Sequence, residues 1–214
     1  MAEPKESTSV KASQPSRPHG FVGRLFGWSM DTINQHAFDA AVEYLCVQSG
    51  ERILEIGFGT GKLVSMLSSQ TEAGLIAGVD PSELMLATAR RRNIQEIKSG
   101  RVDLRLGEAS ALCWPNQTFD AVCVLHNFQF WSEPVECLRE TFRILKGGGR
   151  LFMILRAHLS ENHARQRLAN PLSRSGDEVS ATLRAFATCG YVDCDFLGNL
   201  RWKSAILIAR KPQG

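Results

Sequence analysis

The stretch "ILEIGFGTGK", Ile53 to Lys62, joins an apolar run ending in Glu55 to three glycines at alternate positions, Gly57, Gly59 and Gly61. Glycine at this density marks a backbone that turns sharply or lets a ligand approach closely. A strand that runs straight into such a turn is the opening of a nucleotide- or cofactor-binding α/β unit.

Outward from this turn the chain alternates. "RILEI", "GLIAGVD", "RVDLRL", "FDAVCVL" and "GGRLFMIL" read as short apolar strands. "GKLVSMLSS", Ser82 to about Lys98, and Ser132 to Leu145 read as helices between them. In the last, Val135, Leu138, Phe142 and Leu145 form one stripe, and "LKGGG" acts as its stop. Near-continuous apolar strands alternating with amphipathic helices predict a parallel sheet covered on both faces. Upstream, Ile33, Ala37, Ala40, Ala41, Tyr44 and Leu45 predict a helix from Asp31 to near Gly50. Downstream, a helix around Glu178 to Cys189 precedes "YVDCDFLG" and "KSAILIARK". The link between those two is too short for a crossover helix, so they form an antiparallel hairpin.

The turn discriminates among ligands. Aligned with the dinucleotide fingerprint G-x-G-x-x-G/A, it places Lys62 where a very small residue is needed for close helix packing. Aligned with the P-loop G-x-x-x-x-G-K-[ST], it has Ile56 in the first glycine position and Leu63 in the metal-ligating one. What remains is E-x-G-x-G-x-G. Its carboxylate repels a pyrophosphate and suits a ligand with an ammonium or sulfonium. Asp80 closes the second strand, 19 residues beyond Gly61, where a carboxylate can accept hydrogen bonds from both hydroxyls of a ribose. Asp80 also suits a helix cap, since "DPSE" resembles a capping box with proline at the first helical position.

Four motifs, "LEIGFGTGK", "GVDPSELMLATAR", "GEASALCWPNQTFDAV" and "EPVECLRETFRILKGGGRL", stand in one order. With them the chain resembles the class I S-adenosylmethionine-dependent methyltransferases, and among these the small-molecule group related to ubiquinone/menaquinone biosynthesis methyltransferases. The resemblance covers roughly Gly50 to Arg156 and extends to the last hairpin. It implies an α/β Rossmann-like fold: a seven-stranded, mostly parallel sheet with a C-terminal antiparallel hairpin and helices on both faces. It implies S-adenosylmethionine as cofactor. Glu55, Gly57, Gly59 and Gly61 would line its methionine part, Asp80 would hold the ribose hydroxyls, and Met85 would pack near the adenine. Glu108 stands where the family has Asp toward the adenine amino group, and Ala109 would offer a backbone N–H to the ring. His126 sits where a backbone group meets the methionine amine.

The acceptor side is less defined. His126 is a candidate general base, or an imidazole that only packs or hydrogen-bonds. Phe128, Phe130 and Trp131 form an acceptor wall or part of the core. The tetrad typical of methyltransferases acting on exocyclic nucleobase nitrogens is absent from "LHNFQFWSEP". Residues 157–176 form a candidate acceptor lid together with the cap region 21–49. From Arg156 to Gly176, four arginines (156, 165, 167 and 174) face Glu161 alone, a segment that draws an anionic acceptor or is simply a solvated basic surface. A small-molecule acceptor is the expected partner, with a protein or RNA acceptor, an NAD(P)-dependent oxidoreductase and a non-catalytic binding module as rivals.

Composition sets the outer limits. With 214 residues, 43% hydrophobic and 22% charged, the chain is expected to be one globular domain over residues 21–214. Residues 1–20, rich in Ser, Pro, Lys and Glu, read as a disordered tail without the apolar core of a secretory signal. A net charge of +3 is weak for a nucleic-acid binder, and no apolar run is long enough to span a bilayer. The six cysteines have no zinc-ligand spacing, so no metal is expected, and they read as reduced, buried residues of a cytoplasmic protein.

Overall fold

The computed structural model describes residues 31–70, 72–158, 173–200 and 204–214. The expected tail over 1–20, the aromatic stretch 20–30 and most of the candidate lid lie outside them. The described residues hold eight strands: β1 (Arg52–Ile56), β2 (Leu75–Asp80), β3 (Val102–Leu106), β4 (Phe119–Leu125), β5 (Leu145–His158), β6 (Arg174–Ser175), β7 (Val192–Leu200) and β8 (Ser204–Arg210). The helices are α1 (Gln35–Leu45), α2 (Lys62–Gln70), α3 (Glu83–Arg92), α4 (Ile94–Lys98), α5 (Pro134–Ile144) and α6 (Gly176–Thr188).

The sheet runs β3-β2-β1-β4-β5-β8-β7, parallel from β3 to β5 and antiparallel across β8 and β7. This is the expected seven-strand arrangement. The two-residue β6, inside the candidate lid, pairs with the end of β5 as an additional strand.

Helices cover both faces because the strands are apolar on both. Alternate β5 side chains divide between two buried clusters: Leu151, Met153, Leu155 and Ala157 lie with α5 and α6, and Phe152 and Ile154 lie with α1, α2 and α3. Polar ties hold the outer layers. Tyr191 Oη bonds Thr141 Oγ1 at 2.9 Å in the α5 layer, and Arg143 pairs with Glu140 while also donating to the carbonyls of Leu112 and Trp114. The segment after β3 is thereby fastened to α5.

Several local expectations change. The helix expected from Ser82 to Lys98 breaks at Asn93, whose buried side chain turns inward and donates to the carbonyls of Ala89 and Gly61. The break thus anchors the glycine turn. Ser82, not Asp80, caps α3 by accepting from Met85 N, and no capping box forms there. Tyr44, Ile33 and Val135 are exposed, because the buried stripes of α1 and α5 run instead through Ala37, Phe38, Ala41 and Leu45, and through Cys137, Leu138, Thr141 and Ile144. Leu145 and the glycines after it belong to β5, across an irregularity in its pairing with β4. Only Cys123 and Cys137 are buried. Cys46 and Cys113 are exposed, and Cys189 and Cys194 lie between: Cys46 and Cys189 close helices, Cys113 lies in a loop and Cys194 is on the edge strand β7. No helix among the described residues is long and apolar enough to cross a membrane.

The glycines of the first turn have different neighbours. At Gly61, with φ +72°, an added Cβ would lie 2.7 Å from Ala89 Cβ, so α3 needs glycine there to pack. At Gly59, with φ +52°, a Cβ would meet nothing within 4 Å. Gly61→Ala is therefore expected to destabilise the fold by about 2–5 kcal/mol through left-handed strain combined with overpacking, and Gly59→Ala by about 1–2 kcal/mol through strain alone. Urea unfolding of the two variants measures the difference; equal losses would refute the packing role of Gly61.

Candidate functional site

The sheet order reverses between β1 and β4. The chain leaves β1 toward β2 on one side and leaves β4 toward β5 on the other, so the loops after these strands diverge and leave a crevice at their carboxyl ends. Glu55, Asp80, Glu108 and His126 stand at or just past the carboxyl ends of β1, β2, β3 and β4, which the parallel register brings to one edge of the sheet.

Glu55 is 2% exposed, and its Oε2 is buried with no hydrogen-bond partner among the described residues. Burial, then the nearby Asp80 charge, pushes its pKa up to about 8, against a smaller opposing effect of the Val64 backbone N–H. Asp80 is also buried. Its Oδ2 accepts from Gly59 N and its Oδ1 from Ser82 N, both at 2.9 Å. Burial outweighs these two bonds and raises its pKa to about 6, with Glu108 adding repulsion. Two desolvated carboxylates without a cation beside them are costly in an empty fold and useful to a cationic ligand.

The remaining expected residues occupy this edge in different ways. Met85 is buried in the first turn of α3, in the cluster containing Phe58 and Leu104. Ala109 is buried and Glu108 exposed on the segment after β3. Gly57 is covered by Asn127: an added Cβ would fall 1.9 Å from Asn127 Nδ2, which donates to Ile56 O. Gly61 faces α3, so Gly59 alone of the three opens onto free space. His126 has φ +49°, an unusual conformation for a residue with a side chain, and its N–H donates to Ile154 O while its carbonyl accepts from Gln129. Its imidazole is neutral at pH 7: burial, then the Arg156 charge, lowers its pKa to about 3, and Nδ1 is buried without a partner among the described residues. Phe128 is core, stacked at a tilt with Trp131, whereas Phe130 is half-buried.

Sequence reasoning missed three features of this edge. Asn127 sits on the glycine turn. Arg92 bonds both Thr60 Oγ1 and Asp31, tying the turn to the chain before α1. Arg156, at the end of β5, donates to Asn34 Oδ1 at 3.0 Å. Each depends on partners more than 20 positions apart; the sequence marked their neighbourhood only through the "E-x-G-x-G-x-G" turn and, for Arg156, the basic segment 156–176.

A cationic nucleoside fits what these residues offer. Glu55 and Asp80 place two buried carboxyl groups that a bound cation would ionise, Gly59 permits close approach of the backbone, and the same carboxyl groups disfavour a pyrophosphate. Residues 54–153 match the family model described as "Methyltransferase domain". That stretch, just under half of the chain, is similar to the class I S-adenosylmethionine-dependent methyltransferases, and the relatives it resembles are named for quinone biosynthesis. The chain is 31% identical over 137 residues to the demethylmenaquinone methyltransferase of Thermus thermophilus, which covers 64% of this chain and 60% of that protein. It is 30% identical to the ubiquinone/menaquinone biosynthesis C-methyltransferase of Roseobacter denitrificans, over 54% of this chain and 46% of that protein. The chain thus spans about half to three-fifths of the length of these relatives. Among solved structures, a Haemonchus contortus phosphoethanolamine N-methyltransferase in complex with S-adenosyl-L-methionine superposes with a TM-score of 0.66 at 20% identity, covering 84% of this chain and 53% of that one. The [4+2]-cyclase SpnF superposes with a TM-score of 0.70 at 20% identity, covering 90% and 96%. The fold alone therefore does not define the reaction.

The buried carboxylates make two pH dependences. A bound cation favours their ionised forms, so cofactor binding releases protons below about pH 8, and affinity rises as pH rises from 6 to 8. Calorimetry in buffers of different ionisation enthalpy should detect this release and show it reduced in Glu55→Gln. For stability the sign is opposite. Glu55 has a folded-state pKa above its unfolded value, so its contribution is present below about pH 4.5 and lost as pH rises toward 8. The ligand-free Glu55→Gln variant should therefore be more stable than the wild type at pH 8 while binding the cofactor more weakly; reduced stability would refute the assigned desolvation.

Proposed function

We propose that this chain transfers a methyl group from S-adenosylmethionine to a small-molecule acceptor at oxygen, carbon or nitrogen. The observation that carries the reading is the pair of buried carboxylates, Glu55 and Asp80, at the switch point of the sheet, with Glu55 Oε2 lacking any partner among the described residues. A small-molecule acceptor is supported by relatives named for quinone methylation.

The cofactor, when bound, supplies a methyl group activated by a sulfonium. Methyl transfer disperses positive charge rather than creating it, so the protein acts chiefly by holding two reactants in line and excluding water, an effect worth up to about 7–11 kcal/mol. In this reading Glu55 and the open Gly59 hold the methionine end, Asp80 the ribose, and Glu108, Ala109 and Met85 the adenine. Gly57 and Gly61 shape the turn from behind, through Asn127 and α3. His126 is the candidate base. With a pKa near 3 it serves as a neutral hydrogen-bond acceptor and is a weak base at pH 7.

Calorimetry tests the assignment: micromolar binding of S-adenosylmethionine or S-adenosylhomocysteine with no response to NAD supports it, and the reverse sinks it. Asp80→Ala should weaken cofactor binding at least fivefold, equivalent to about 1 kcal/mol for a lost charge-assisted hydrogen bond. It should also lower stability by about 1–3 kcal/mol, because the N–H groups of Gly59 and Ser82 lose their acceptor. Unchanged affinity would remove the ribose role from Asp80.

A further inference from the structure

Six arginines among the described residues are half-buried: Arg92, Arg105, Arg143, Arg150, Arg156 and Arg174. Five of them are ion-paired, with Asp31, Asp103, Glu140, Glu51 and Glu178. Arg156 alone has no carboxylate partner among the described residues. Among the described residues its one side-chain hydrogen bond goes to the neutral amide oxygen of Asn34, although a guanidinium carries five N–H donors. Burial is deep enough to lower its pKa from the ordinary guanidinium value. A desolvated, unpaired charge is unfavourable, and an apolar side chain would pack this position better if packing were its purpose.

The place of Arg156 gives that cost a use. It follows Phe152 and Ile154 on the face of β5 that packs toward α1, at the carboxyl end of the sheet. The adjacent strand end is tied to the same stretch through the His126 N–H on Ile154 O, and the Arg156 charge reaches the His126 imidazole. The two sides of the crevice therefore differ in sign. Buried carboxyl groups, Glu55 and Asp80, stand at β1 and β2, and a cation with no carboxylate partner among the described residues stands across the switch point at β5.

We infer that Arg156, supported by Asn34, binds an oxyanion of the methyl acceptor, a carboxylate or a phosphate, so that a cationic cofactor and an anionic acceptor are sorted to opposite sides of the crevice by charge. The anion is a handle and not the atom methylated, since pairing with a guanidinium lowers its nucleophilicity. This inference rests on the methyltransferase reading above. It makes Arg156 a specificity-determining residue, and its placement against β4 puts the acceptor beside His126.

The test uses a metabolite extract divided by anion exchange at pH 7 and assayed with the full chain and labelled S-adenosylmethionine. Label should enter compounds of the retained, anionic fraction. Phosphatase treatment of the extract beforehand should abolish labelling if the handle is a phosphate and leave it intact if it is a carboxylate. Arg156→Met should lower kcat/KM for the labelled acceptor at least tenfold while leaving S-adenosylhomocysteine affinity unchanged, and Arg156→Lys should recover part of the loss. Arg156→Met should also melt no lower than the wild type, because it removes an uncompensated charge. Labelling confined to the unretained fraction, or undiminished turnover in Arg156→Met with a lowered melting temperature, would overturn the inference and make Arg156 structural. Failure of the wild type to bind S-adenosylhomocysteine would instead overturn the cofactor reading on which it rests.

Discussion

The hydrogen bond from Gly59 N–H to the Asp80 carboxylate is the constraint on which this end of the molecule depends. It joins the turn after β1 to the end of β2, and the second oxygen of the same carboxylate takes the Ser82 N–H at the start of α3. One buried side chain thus fixes a loop, a strand end and a helix start. Asn93 closes the arrangement from the other side by holding the Gly61 carbonyl. The result is a turn whose backbone is rigid before any ligand arrives, which reduces the ordering cost of binding.

That rigidity is maintained against an electrostatic cost. Asp80 and Glu55 lie close together in a desolvated setting, and neither has a cationic partner among the described residues. Burying carboxyl groups in this way is poor design for stability and good design for a site, since a cationic ligand favours their ionised forms. The cationic counterpart, Arg156, is separated from them by the strand order. The division of sign across the crevice follows from topology: neighbours in the sheet at the switch point come from different halves of the chain.

Much of the fold was legible because its signals are local. Five apolar strands, their intervening helices and the terminal hairpin follow from hydrophobic period and link length, and the observed sheet, parallel from β3 to β5 and antiparallel across β8 and β7, agrees. The misses have causes that are not local. The break at Asn93 looked like uninterrupted helix, since asparagine has a moderate helix propensity and its reason for breaking, the Gly61 carbonyl, lies 32 positions away. Ile33 and Tyr44 match a helical period, yet the contacting stripe is set by how α1 lies on β5. The cysteines sit in apolar stretches, but four of them fall at helix ends, in a loop or on the edge strand, where the chain meets solvent.

By itself the sequence narrowed the ligand: the glycine turn, its preceding Glu55 and the spacing to Asp80 restrict it through steric and charge rules that act over a few residues, and four motifs carry the resemblance to methyltransferases. Only the tertiary structure decided how those residues are used. It set Gly61 against α3, Gly57 beneath Asn127 and Gly59 in the open, and it gave Asp80 two backbone partners in place of the helix cap. It also brought Arg156 to Asn34 and His126 from positions 122 and 30 residues away. Packing and desolvation are properties of surroundings assembled from distant segments, and for that reason no period or motif along the chain could express them.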